Sequence, residues 1–154
     1  MTDTPRILAI ASGGGHWVEL MRLKPAFDDL NVFYVSLDPT SASDVPGRRY
    51  YTIRDASRKE LWGFAIVLFQ LARILLKERP DVVITTGSGP AFVALTLAKR
   101  LLRAKTIWID SIANVEEMST SGRMARGVAD IWLTQWPHLA GEAENDPEFW
   151  GAVL

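Results

Sequence analysis

Five strand-length apolar runs punctuate this chain: Ile7 to Ala11, Val32 to Val35, Val82 to Thr85, Thr106 to Ile109 and Ile131 to Thr134. Runs that are apolar on both faces belong to a sheet covered on both sides, and strands separated by helical stretches return parallel to one another. The covering segments are His16 to Phe27, Arg58 to Arg79 and Ala91 to Arg103, each apolar at helical spacing or all round. Tyr50 to Ile53 adds a further short strand, and Pro39 to Gly47, rich in Ser, Asp, Pro and Gly, is the loop before it. The rhythm predicts an α/β fold, a Rossmann-like doubly wound and mainly parallel sheet. With 154 residues, 48% of them hydrophobic, the chain can build one core, and no repeat or interior linker divides residues 1–154.

Composition narrows the chemistry. Seventeen basic residues face eighteen acidic ones, so no overall field draws nucleic acid to the surface. There is no cysteine, which excludes disulfides, thiolate catalysis and cysteine-ligated metal; with only His16 and His138, a histidine-rich metal site is also out of reach. No cofactor is implied, and a reducing cytoplasm is the expected compartment. Met1 to Arg6 lacks the basic start and long apolar core of a signal peptide. Leu61 to Leu76 is shorter than the ~20 apolar residues of a spanning helix, and Gln70 and Arg73 interrupt it.

Ligands of doubly wound sheets bind beyond the carboxyl ends of the strands, which directs attention to three loops. The first, Ser12-Gly13-Gly14-Gly15-His16, joins a strand to a helix; its glycines let backbone approach a ligand, and the amides and dipole of the helix start favour a phosphate or diphosphate. It is a poor dinucleotide fingerprint, because Val18 stands where GxGxxG needs its third glycine, and no Gly-Lys-Ser/Thr follows to make a P-loop. A dinucleotide-dependent oxidoreductase or epimerase is therefore the weaker alternative. At the mouth of this loop His16 is open to two roles: general base toward an attacking hydroxyl, or hydrogen-bond partner of a phosphate or neighbouring loop. The second loop, Thr85-Thr86-Gly87-Ser88-Gly89-Pro90, again exposes amides at a helix start, with Pro90 suited to the first turn. Two such loops suggest a pyrophosphate. In the third, Asp110-Ser111-Ile112-Ala113-Asn114-Val115-Glu116-Glu117, the carboxylates can bind sugar hydroxyls or accept a proton; Asp110 at the strand end is the better candidate, whereas Glu116 and Glu117 fit a solvated helix edge equally well.

Two aromatic groups remain. Trp62, Phe64, Ile66, Val67, Phe69 and Ile74, flanked by Arg58, Lys59, Arg73, Lys77 and Arg79, fit an interfacial patch with basic anchors. A helix apolar nearly all round is more often buried, and burial is the expectation here. Trp132, Trp136, Phe149 and Trp150 suit either a partner interface or packing on their own domain. Trp62, Phe64, Trp136 and Trp150 are the candidate membrane or partner contacts.

In order along the chain, Gly14-Gly15-His16 with Glu19-Leu20-Met21-Arg22-Leu23, the helix leading to Arg79-Pro80-Asp81-Val82-Val83-Ile84, the loop Thr86 to Pro90, Ser119-Thr120-Ser121-Gly122-Arg123 and Gln135-Trp136-Pro137 form a combined pattern. It resembles the Alg14 family and its bacterial relatives in capsule and exopolysaccharide synthesis. The resemblance implies the amino-terminal half of a GT-B glycosyltransferase, the half that holds a polyprenyl-diphosphate-linked acceptor at a membrane surface. It implies a separate Alg13-like chain that binds the nucleotide sugar, and peripheral attachment to the inner face of the cell membrane. It also raises His16 as the base, and makes Ser12, Gly13, Gly14, Gly15, Gly87, Ser88, Gly89, Asp110 and Ser111 the acceptor and diphosphate site. A noncatalytic scaffold for a transferase is the other alternative. The chain departs from the family where Glu-Ser-x-x-Arg is usual, reading Asp110-Ser111 and then Asn114; Arg123 or Arg126 is left to supply the missing cation. Eukaryotic members also begin with a membrane helix that these residues do not include.

Overall fold

The computed structural model describes residues 4–56 and 59–153. Arg58, expected to open the long helix and flank it with charge, lies outside the described residues, as do Met1 to Asp3 of the amino-terminal stretch.

Seven parallel strands form one sheet: β1 (Arg6–Ile10), β2 (Asn31–Ser36), β3 (Tyr50–Thr52), β4 (Val82–Thr85), β5 (Lys105–Ile109), β6 (Ile131–Thr134) and β7 (Glu148–Phe149), in the order β3-β2-β1-β4-β5-β6-β7. The period of two sorts each strand between two cores. Ile7, Ala9, Val32 and Tyr34 pack with Trp17 and Leu20 of α1 (Gly15–Leu23). Leu8, Ile10, Phe33 and Val35 pack on the other face with Val67, Leu71 and Leu75 of α2 (Leu61–Glu78), Ala91, Ala94 and Leu95 of α3 (Gly89–Leu97) and Ala125 of α4 (Thr120–Ala125). The sheet is therefore covered on both sides, as the apolar runs predict. Strand order reverses between β1 and β4, which are neighbours with Ile10 opposite Thr85. That is the switch point at which such sheets open a ligand crevice.

Several elements differ from the sequence expectation, each for a local reason. The first helix tightens into a 3₁₀ turn over Lys24–Phe27, where Pro25 denies the α-helix an amide. The third relaxes into a π turn over Ala98–Leu102, and the expected loop at Pro39 to Gly47 contains a 3₁₀ helix, Pro39–Asp44, capped by Asp38. α2 ends where Arg79 turns left-handed at φ 47° and Pro80 forbids another turn. Neither α4 nor β7 is apparent from apolar patterning, since α4 is one short turn-rich element and β7 only two residues at the sheet edge.

The largest departure is α2. Its buried residues are Gly63, Val67, Leu71, Ile74, Leu75 and Glu78, a single i, i+4 row against the sheet. The opposite face is not covered: Leu61 is 82% exposed, Trp62 84% and Phe69 67%, with Phe64, Ile66 and Leu76 also exposed. The expectation of a helix buried all round is overturned: one row of α2 meets the sheet and α3, and the other stays in solvent.

Candidate functional site

The two glycine loops meet at the β1/β4 switch point. Gly14, at φ 63°, is the cap of α1, and having no side chain it leaves the first-turn amides of that helix without an acceptor. At Gly15 a Cβ would meet nothing within 4 Å, so the cradle is open. In the second loop Gly87 sits at φ 120°, its amide held by the hydroxyl of Thr85 at 3.0 Å. Ser88, at φ 120° and ψ 161°, adopts a conformation that is almost confined to glycine, while its hydroxyl accepts the Ala91 amide at 3.3 Å. Gly89 then opens α3 with Pro90 in its first turn.

His16 joins the loops. Its Nδ1 lies 3.0 Å from the carbonyl oxygen of Thr86, and the Thr86 hydroxyl donates back to the His16 carbonyl at 2.5 Å. A carbonyl oxygen only accepts, so Nδ1 is the donor and the neutral ring presents Nε2 with its lone pair. The ring packs on Gly87 so closely that a Cβ there would stand 2.9 Å from Cε1 and 3.0 Å from Nδ1. Thr86 lies in the expected second loop, but its role depends on a backbone carbonyl, which residue identity does not reveal.

Asp110 and Ser111 lie at the end of β5, but both bond inward. Asp110 Oδ1 accepts from Trp108 Nε1 at 3.0 Å and the Ser119 hydroxyl at 2.6 Å; Oδ2 accepts from the Ser119 amide at 2.8 Å and Asn114 Nδ2 at 3.1 Å. These donors occupy about all the lone-pair sites a carboxylate has. Asp110 therefore holds its loop, with Asn114 bonded to it from the position where the family arginine is usual. Gly122 permits this arrangement, since a Cβ there would be 2.4 Å from Asp110 Oδ1. The Ser111 hydroxyl donates to Glu19 Oε1 at 3.0 Å. Arg123 is engaged by Glu117 at 2.7 Å, while Arg126 is exposed beside a cavity of about 400 Å³ near Trp132 and Asp130. Glu116 and Glu117 lie on an exposed bend and not on a helix edge.

The aromatic candidates separate. Trp136 is half-buried and donates its indole N–H to the Ile112 carbonyl at 2.8 Å, so it braces the same loop from inside. Trp150 is 65% exposed, and its indole N–H donates to Glu148 at 2.8 Å, beside the exposed Phe149 of β7. Val18 is half exposed on the outer side of α1, so the close helix packing that a third dinucleotide glycine serves is not made here. No helix among the described residues is long and apolar enough to cross a membrane.

The pattern described as "Oligosaccharide biosynthesis protein Alg14 like" matches residues 45–153. The chain belongs to this Alg14-like family. Among relatives, it is 33% identical over 93 residues to "UDP-N-acetylglucosamine transferase subunit ALG14" of Eremothecium gossypii, covering 57% of this chain and 41% of that one. The Mus musculus protein of the same name is 26% identical over 89% of this chain and 78% of its own length. The chain thus spans less than half of the first relative and most of the second. In fold it is similar to a MurG from Acinetobacter baumannii (TM-score 0.70, 16% identity, 91% of this chain, 44% of that one) and to the MnaA–UDP structure from S. aureus (TM-score 0.73, 14% identity, 97% and 45%). Both likenesses show the Rossmann-like fold as roughly half of a larger chain.

Proposed function

We propose that this Alg14-like chain is the acceptor-side subunit of a two-chain glycosyltransferase, moving a sugar from a nucleotide-sugar donor to a polyprenyl-diphosphate-linked saccharide in polysaccharide synthesis. The observation that carries the reading is the pair of glycine-rich helix starts at the switch point, with His16 Nε2 free between them. The uncapped start of α1 and the glycine-rich start of α3, where Ser88 caps only the Ala91 amide, suit a diphosphate, each helix dipole adding to the attraction. His16 Nε2 takes the proton of the acceptor hydroxyl as its oxygen bonds to the anomeric carbon; the bond from that carbon to the nucleotide phosphate breaks, and the nucleoside diphosphate leaves with the electron pair. The names of the relatives make a UDP-linked N-acetylglucosamine the first donor to test.

The site is open toward solvent: a Cβ at Gly14, Gly15 or Gly89 would meet nothing within 4 Å. An Alg13-like donor-binding chain would supply the other wall, with Trp150 and Phe149 offered as its contacts. One Alg14-like domain then corresponds to half of a GT-B enzyme. The exposed apolar face of α2, with Lys59, Arg73 and Lys77 exposed at its flanks, would seat the chain peripherally on the inner face of the cell membrane, where a lipid-linked acceptor is met.

The test is to capture the chain from its own cells in mild detergent, identify the co-purifying chain, and assay sugar transfer with each alone and together. Transfer that requires both chains supports the proposal; transfer by either alone refutes the split. Transfer surviving His16→Ala with an unaltered pH–rate profile removes His16 as the base.

A further inference from the structure

Glu19 is an acidic side chain inside the core. It is 4% exposed on α1, one turn beyond His16, and its Oε1 accepts two bonds from the β5 loop, the Ser111 hydroxyl at 3.0 Å and the Ile112 amide at 3.0 Å. β4 separates β1 from β5 in the sheet, so this single oxygen ties together elements that share no ladder. Ile112 is held through both its backbone groups, since its carbonyl accepts the Trp136 indole at 2.8 Å. Glu19 Oε2, by contrast, is buried with no donor among the described residues. A half-satisfied buried carboxyl costs stability, and an apolar side chain would fill the same space more cheaply. Stability therefore does not account for it, and local rules broken in this way mark functional sites.

We propose that Glu19 is a positioning residue of the transfer site: it sets the 111–114 loop against the His16 helix and so fixes one wall of the acceptor cleft. The inference rests on the transferase reading above. Because Oε2 is buried, Glu19 acts through the loop and does not touch substrate.

The test uses the complete two-chain complex and four variants. Glu19→Ala releases the loop and is expected to raise the acceptor KM roughly tenfold, the order expected for losing bonds to a charged acceptor. The Ile112 amide should exchange with solvent faster by a similar factor. Ser111→Ala removes one of the two bonds and should fall between Glu19→Ala and the parent. Glu19→Gln keeps a carbonyl oxygen for both donors, so KM, kcat and the pH profile should return close to the parent values; a carboxyl that moved protons would instead lose kcat in this variant. Glu78→Ala is the control: Glu78 is just as buried, but its partners are Arg49 and Tyr51 at the far end of α2. It should lower stability and leave the acceptor KM unchanged. Transfer by the parent complex with an unchanged KM in Glu19→Ala, or an equal rise in Glu78→Ala, overturns this inference alone. Absence of transfer by the parent complex overturns the transferase reading and this inference with it.

Discussion

Gly87 and Ser88 show what single residues contribute to the site. The His16 ring occupies the space a Cβ on Gly87 would need, and the backbone there stands at φ 120°. Gly87→Ala is expected to displace His16 from Thr86 and to cost roughly 1–3 kcal/mol in backbone strain. The variant should fold, shown by an unchanged far-ultraviolet spectrum, while transfer by the two-chain complex drops at least about tenfold. Ser88 carries strain in the native chain. Replacing it with glycine relieves about 1–3 kcal/mol, against a few tenths for the weaker cap and about 0.5–1 kcal/mol for added chain freedom. Ser88→Gly should therefore stabilise the protein by about 1 kcal/mol, raising Tm by roughly 2–4 °C in a thermal melt. At this scale the sequence reading located both loops, because glycine is conspicuous. It names Thr86 and Glu19 but not their contacts, since a carbonyl has no residue signature and an acidic residue beside a helix stripe gives no sign of being buried.

At the scale of elements, α2 is the informative case. Eighteen residues with apolar side chains on every face read as a buried helix, yet one row faces the sheet and the other faces solvent. Trp62→Ser with Phe64→Ser removes exposed groups only, so stability should change by less than about 0.5 kcal/mol. Co-sedimentation with vesicles containing anionic lipid should fall clearly; unchanged sedimentation would eliminate α2 as the membrane face. The Ser119 to Arg123 segment also makes sense only as an element. Ser119 caps α4 by accepting the Gly122 amide at 2.9 Å while donating to Asp110, and Gly122 lets that first turn sit against the carboxylate. A motif that enters the sequence reading only as part of the family pattern is thus the clamp that holds the β5 loop.

Over the whole molecule, the junction where β5 and β6 begin depends on pH. Burial of Asp130 raises its pKa, but bonds from Lys99 and from the amide and hydroxyl of Thr106, with the Lys99 charge, outweigh this and hold it below the usual carboxylate value. A depressed folded-state pKa contributes stability that is present above the unfolded value of about 3.9 and is lost as pH falls through the folded value. Urea midpoints of the parent should therefore exceed those of Asp130→Asn by a constant margin above about pH 5. The margin should shrink as pH falls below about 4. A margin that does not change with pH would show that the ion pair is not its source.

The sequence by itself determined the layered fold. Period-two and helical spacing act over a few residues, and backbone geometry converts them directly into strands parallel to one another with helices on both faces. It determined the two glycine loops for the same reason, as loop conformation is a local property. Only the tertiary structure decided which face of α2 stays uncovered, that Asp110 and Trp136 turn inward, and that Glu19 reaches the β5 loop 92 positions away along the chain. Those outcomes depend on what each side chain meets after the sheet has closed, and no short-range pattern encodes the neighbours that folding supplies.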